Sequence, residues 1–243
     1  MKTKILFFLI FFMILKLYSI TDKELFENSI ILYNNGDYKK ALENLKILLD
    51  KGYKNFEINY NIGCCYFKLN EYGFSRFYFE KALLYKPFDR DLYQNLLTLY
   101  NKILKNPEIG IQEIMTKRVI FFIPLFILII MFIITFIVMF LMILIIFNFA
   151  NIRKLIGILL SIFIFFNLII IFIFFLQYSE FNKKYFVSTT TTNVYLTPNN
   201  DTTILFSIME GTKGSIKEEF GNFIKVYLSD DTSGWIKKSD VVY

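Results

Sequence analysis

Histidine is absent from the 243 residues, and cysteine occurs only as the adjacent pair Cys64 and Cys65. Ser-His and Cys-His catalysis are thereby excluded, together with nearly every zinc site, because each requires an imidazole or a set of thiolates. There is no GxxxxGK[ST] phosphate loop, no GxGxxG turn and no paired-acid stretch. The expectation is a protein that is not an enzyme, with no cofactor and no metal. Tryptophan is also scarce: Trp235 stands alone among 30 phenylalanines and 16 tyrosines.

What is abundant is apolar surface. Hydrophobic residues make up 55% of the chain and the mean hydropathy is +0.47, too apolar for an ordinary soluble enzyme and too charged for a chain that is membrane throughout. A mixed protein is expected, part bilayer and part water. The net charge of +6 does not point to nucleic acid, because it is not gathered in one segment. Residues 20–118 carry fifteen basic against thirteen acidic residues, and 178–243 carry seven against eight. Most of the excess flanks apolar runs, where basic residues set membrane orientation.

Lys2 and Lys4 precede the apolar run ILFFLIFFMIL (5–15) and Lys16 follows it, so residues 1–20 read as a signal peptide or an uncleaved signal anchor. No charge occurs from Val119 to Ile152, nor from Leu155 to Ser179. Each run supplies the roughly 20 apolar residues that a bilayer core requires, and neither has a polar face, so both read as transmembrane helices, 119–147 and 155–177. The loop 148–154 allows only a tight turn. Such a hairpin returns the chain to the side it left, placing the segments before and after it in one compartment. Arg153 and Lys154 oppose Lys117, Arg118, Lys183 and Lys184 in the orientation vote, so the leader decides. Both water-soluble segments are expected outside the cytoplasm, on a bacterial cytoplasmic membrane crossed more than once.

Before the hairpin a period of 34 residues aligns 22–55 with 56–89, placing Tyr38 over Tyr72, Leu45 over Phe79 and Leu32 over Tyr66. Small residues such as Gly63 let two antiparallel helices approach, aromatics fill the wedge between them, and Pro87 ends the second. Ile62-Gly63, Tyr66, Ser75, Phe79, Ala82 and Pro87 resemble the tetratricopeptide pattern in order, while Asn59 stands where that family prefers tryptophan. The resemblance implies an α-helical superhelix over 21–116, with 90–105 as a capping helix. Two units and a cap are a small array, for which help from the membrane or a partner is expected. The implied concave surface carries Phe26, Ile30 and Tyr33, then Tyr60, Cys64, Phe67 and Lys68, then Gln94 and Asn101. These residues either form a groove for a peptide or helix, or pack against their neighbours. Cys64 and Cys65 diverge by about 100° on a helix and read as small packing residues.

After the hairpin the character changes. TTTTNVYLTPNNDTTI reads as a turn region, followed by five short strands, ILFSIM, KGSIKEEF, FIKVYL, GWIK and VVY. Turns are expected at Glu210-Gly211, Gly221-Asn222 and Ser229–Asp231. A small all-β barrel over 183–243 follows. The stretches Asn193–Pro198, Gly221–Val226 and Gly234-Trp235-Ile236 resemble the bacterial SH3 family, with Tyr195 in place of its arginine and Phe223 in place of its first tryptophan. Trp235 and Ile236 point to opposite faces of their strand, so the indole either seals the barrel or is presented on it. Tyr195, Tyr227 and Trp235 are the candidate surface.

The order of leader, helical repeats, membrane segment and SH3-like domain is similar to the BatE-type proteins of bacterial aerotolerance (Bat) operons. That resemblance implies a membrane-bound scaffold among von Willebrand A-domain proteins and a MoxR-type ATPase. A different class is an envelope protein whose β domain binds peptidoglycan. Transport is disfavoured, because the apolar runs lack the charges that mark an ion or substrate path.

Overall fold

The computed structural model describes residues 21–104, 106–148, 153–199, 203–228 and 232–243. The leader 1–20, the centre of the 148–154 turn and the Ser229–Asp231 turn lie outside the described residues. The chain divides into two units: residues up to Ile111 together with Lys184–Tyr243, and Gln112–Lys183.

The first unit opens with five helices, α1 (21–34), α2 (Tyr38–Asp50), α3 (Phe56–Lys68), α4 (Tyr72–Leu83) and α5 (Arg90–Ile103). Their starts carry the expected spacing, since α2 and α4 begin at 38 and 72 while α3 and α5 begin at 56 and 90. The turns preceding α2 and α4 each reverse through a left-handed residue, Gly36 (φ +83°) and Asn70 (φ +62°). Both positions accept the residue types that tolerate that conformation best. Asn55 and Asp89 cap α3 and α5, accepting hydrogen bonds from the amides of Ile58 (3.0 Å) and Leu92 (2.9 Å). Ala41, Leu45, Leu48, Ile58, Ile62, Cys65 and Tyr66 form the core between α2 and α3. Gly63 sets the closest approach: a Cβ there would lie 2.5 Å from the ring of Phe79 on α4. The Ser75 hydroxyl donates to the Gly63 carbonyl across the same contact (2.9 Å).

A further helix, α6 (Pro107–Ile120), had no counterpart in the sequence reading. Its Gly110 lies against the ring of Tyr100.

Residues 184–243 form one antiparallel sheet of seven strands, β1 (Tyr185–Ser188), β2 (Thr192–Tyr195), β3 (Ile204–Ile208), β4 (Lys213–Phe220), β5 (Phe223–Tyr227), β6 (Ser233–Lys237) and β7 (Val241–Val242), in the order β3-β2-β6-β5-β4-β1-β7. Five strands were expected, so β1 and β2 are a correction. Thr192–Tyr195, read as part of a turn, alternates buried and half-buried residues. Threonine and valine suit a pleated surface as readily as threonine suits a turn. The registers Ile224↔Ile236 and Val226↔Gly234 bring the inward side chains together over Phe186, Val194, Ile208 and Val241.

The sheet packs on the helices within this unit. Phe77 of α4 joins Tyr185 and Val187 of β1 in a buried cluster, with the Phe77 and Tyr185 rings 5.6 Å apart. The expectation that the array would lean on a membrane or a partner is therefore corrected, because the chain's own C-terminal segment covers α4.

The second unit holds two long apolar helices, α7 (Leu125–Asn148) and α8 (Arg153–Phe181). The span drawn from 119 begins with a break, since α6 ends at Ile120 and α7 begins at Leu125, directly after Pro124. Proline has no amide hydrogen to continue a helix but opens one well, and the Pro124 carbonyl accepts from the amides of Ile127 and Leu128. Only 6% and 11% of the most apolar stretches within 107–145 and 154–181 are buried, whereas a core helix of a soluble protein would be mostly covered. Both are long and apolar enough to cross a membrane.

Candidate functional site

Three of the helical residues picked out from the sequence form one line of contact. Tyr60 on α3 accepts a hydrogen bond from the Asn95 side-chain amide on α5 (2.9 Å), and the same amide lies 3.9 Å from the Cys64 sulfur. Across the line, Tyr33 of α1 lies close enough to feel both thiols electrostatically. Tyr33, Cys64 and Tyr60, each only partly exposed, thus connect α1, α3 and α5. Burial pushes the Tyr33 hydroxyl up to about 12, with the neighbouring thiols adding to it, and burial likewise raises Tyr60. These phenols stay neutral at physiological pH, so the line offers hydroxyl donors and acceptors with no charge.

The other candidates do not join this line. Phe67 packs edge-on against Tyr72 (5.7 Å), and the Lys102 ammonium lies 5.5 Å from the Tyr72 ring centre. Lys68, Gln94 and Asn101 are exposed at separate positions along α3 and α5. Asn95, the residue that reaches Tyr60, was missed. Its one signal is that it stands 35 residues after Tyr60, close to the repeat period, where facing helices of successive units meet.

Cys64 and Cys65 are both free thiols, and burial is the main cause that pushes each up to about 12. A protonated thiol is a poor nucleophile and metal ligand, which fits their reading as packing residues. Among the described residues no group of three or more acidic or cysteine side chains is placed to hold a metal ion.

At the N-terminal end of the array a cavity of about 290 Å³ is lined by Asp22, Phe26, Leu48, Tyr53, Asn55 and Glu57. Lys51 donates to Asp22 (2.5 Å), as does the Tyr53 hydroxyl (2.9 Å). The Lys51 hydrogen bond is the largest cause holding the Asp22 carboxyl below its ordinary value.

On the sheet, Gly234 lets β6 approach β2, where a Cβ would fall 2.4 Å from Val194. Ile236 enters the core and is fully buried. Trp235 faces the other side, yet it is only 9% exposed. Phe220 stands edge-on to it (6.5 Å) and the Lys225 ammonium lies 5.8 Å from its ring. The indole therefore seals the outer face. Tyr195 sits opposite Trp235, T-shaped to Phe223 (6.1 Å) and beneath Lys237. Tyr227, 38% exposed, carries Lys217 over its ring. Together with Phe220, 62% exposed, these residues make a face in which aromatics alternate with lysines.

Within the second unit, two polar side chains interrupt the apolar helices. The Thr135 hydroxyl of α7 donates to the Asn167 side-chain carbonyl of α8 (3.0 Å), and the Asn167 amide donates to the Phe163 carbonyl (2.9 Å). Fully buried Gln177 donates to the carbonyls of Ile120 (3.0 Å) and Ile123 (2.8 Å), two groups left without helical partners by the break at Pro124. Around Thr135 lies a groove of about 350 Å³ lined by Leu128, Met131, Phe163, Phe166 and Ile170, with no charged side chain.

No protein-family profile matches the sequence, and no curated protein matches it.

Proposed function

We propose that this chain is a membrane-anchored scaffold without catalytic activity, in which α7 and α8 cross the bilayer as a hairpin and the flanking segments bind protein partners. In this reading the 34-residue units are tetratricopeptide repeats and the sheet is a bacterial SH3-like domain. The observation that carries it is the packing of β1, which follows the hairpin, on α4, which precedes it. Such packing requires both flanks to lie on one side of a membrane, as two crossings demand. The exposure of the apolar helices and the absence of charge along them favour lipid as their surroundings. The neutral line of Tyr33, Cys64, Tyr60 and Asn95 suits a peptide or helix held by aromatic contact and neutral hydrogen bonds.

The resemblance to BatE-type proteins names the partners to seek, von Willebrand A-domain membrane proteins and a MoxR-type ATPase, with both soluble segments outside the cytoplasm. Crosslinking in intact membranes followed by mass spectrometry is expected to recover protein partners through residues near Tyr60. Recovery of none, with the chain present at normal level, refutes the scaffold reading. Labelling from outside the cell is expected to reach a cysteine placed at 190 but not one at 153; the reverse pattern refutes the orientation.

A second reading, peptidoglycan binding, is favoured by the aromatic and lysine face of Tyr195, Phe220 and Tyr227. Here the full chain in detergent is expected to sediment with purified cell walls, and failure to do so removes it.

A further inference from the structure

The contact between α4 and the sheet has a charged centre. Glu80 on α4, 1% exposed, accepts from the Arg76 guanidinium (2.7 Å), from the Tyr100 hydroxyl (3.2 Å) and from the Lys213 ammonium of β4 (2.6 Å). Arg76, 3% exposed, also donates to the Gly211 carbonyl at 2.7 Å and lies over the Tyr100 ring. The Glu210 carboxylate accepts from the Gly73 amide in the first turn of α4 (2.8 Å). Four residues of the helices and three of the β segment thus share one desolvated polar network.

Two glycines make the approach possible. A Cβ on Gly73 would fall 2.1 Å from the backbone oxygen of Ser188, and one on Gly211 would fall 2.5 Å from Ile103 of α5. The first contact is with backbone, which cannot move aside as a flexible side chain would. The sheet needs this contact, because its own core is small, built on Phe186, Val194, Ile208, Ile224, Val226, Ile236 and Val241. A β segment of about 60 residues buries too small a share of its surface to be more than marginally stable alone.

We propose that the Arg76–Glu80–Lys213 network is a clamp that makes the helices and the sheet one cooperative unit, although 72 residues, Gln112–Lys183, separate the two segments in sequence. The clamp holds the Tyr33–Tyr60 line and the lysine–aromatic face of the sheet at a fixed spacing, so that they move as one body. It stands independently of what either surface binds. Buried ion networks stabilise little relative to apolar packing, but removing one partner strands the remaining charges without water. The consequence is an all-or-none contact, closed or fully undone.

Hydrogen exchange on the full chain in detergent micelles tests this, comparing wild type with Gly73→Ala, Glu80→Gln and Lys213→Met. The decisive peptides are those covering β5 and β6, which lie away from the contact. If the clamp unites the two segments, each variant raises exchange in β5 and β6 by about tenfold or more, while α2 keeps wild-type protection. If β5 and β6 keep wild-type exchange in Gly73→Ala and Lys213→Met, the sheet is an independent domain and the proposal fails. Should Glu80→Gln also unfold α2, Lys213→Met decides, since that side chain enters from the sheet and leaves the Arg76–Glu80 pair intact.

Discussion

Replacing Gly63 by alanine sets two effects of opposite sign against each other. In the middle of a helix, glycine to alanine stabilises by about 1 kcal/mol, because alanine loses less backbone freedom on folding. Here the added methyl would meet the Phe79 ring at 2.5, 2.7 and 3.1 Å. Phe79 is fully buried and has the Tyr60 ring 5.9 Å away, so it has little room to retreat. Overpacking of this kind costs about 1–3 kcal/mol. The net expectation is a loss of about 1 kcal/mol, which lowers Tm by about 2–4 °C in a unit of this size. In a Phe79→Leu background the ring is gone, and the same Gly63→Ala change is expected to stabilise by up to about 1 kcal/mol. Thermal unfolding of the four proteins in detergent, followed by far-ultraviolet circular dichroism, measures the coupling. A higher Tm for Gly63→Ala in the otherwise unaltered chain would show that the α3–α4 approach is not limited by this glycine.

Because burial pushes the Cys64 thiol up to about 12, the folded chain should resist iodoacetamide at pH 8 and react at both cysteines once unfolded in urea. The sign for stability follows: a raised folded value favours the protonated form, so stability is full below pH 9 and falls as pH climbs from 9 towards 12. Rapid alkylation of the native chain at pH 8, read by mass spectrometry, would contradict this burial. A double-mutant cycle of Thr135→Val and Asn167→Leu should give a coupling of about 0.6 kcal/mol, and no more than about 2, for the hydrogen bond between α7 and α8; zero coupling in detergent unfolding would mean the pair contributes nothing to the hairpin.

The 34-residue helix spacing was legible because Tyr38 and Tyr72, Leu45 and Phe79, and Ala82 with Pro87 repeat a local pattern set by helix geometry. The two apolar helices were legible from length and absence of charge. The break between them and α6 was not, because Pro124 sits inside an apolar run and proline opens a helix as readily as it ends one. Tyr60, Cys64 and Tyr33 were found from their helix face, whereas Asn95 was missed in favour of Gln94, one residue and about 100° of rotation away. On the sheet, alternation separated Trp235 from Ile236 but did not decide whether the indole was covered. That depended on Phe220 and Lys225, brought beside it by the turn between β4 and β5 and by the β5–β6 pairing.

Local chemistry along the chain thus determined which segments are helical, which are strands for β3 to β7, and which are too apolar for water. Tertiary structure alone decided that the segments on either side of the hairpin form one body. Gly73 and Ser188, Arg76 and Gly211, Glu80 and Lys213 are more than 100 residues apart, and no periodicity links them. In the sequence Arg76 and Glu80 read as an ordinary surface pair one helical turn apart. Only the arrival of β1 and β4 removes their water and turns them into the centre of a contact.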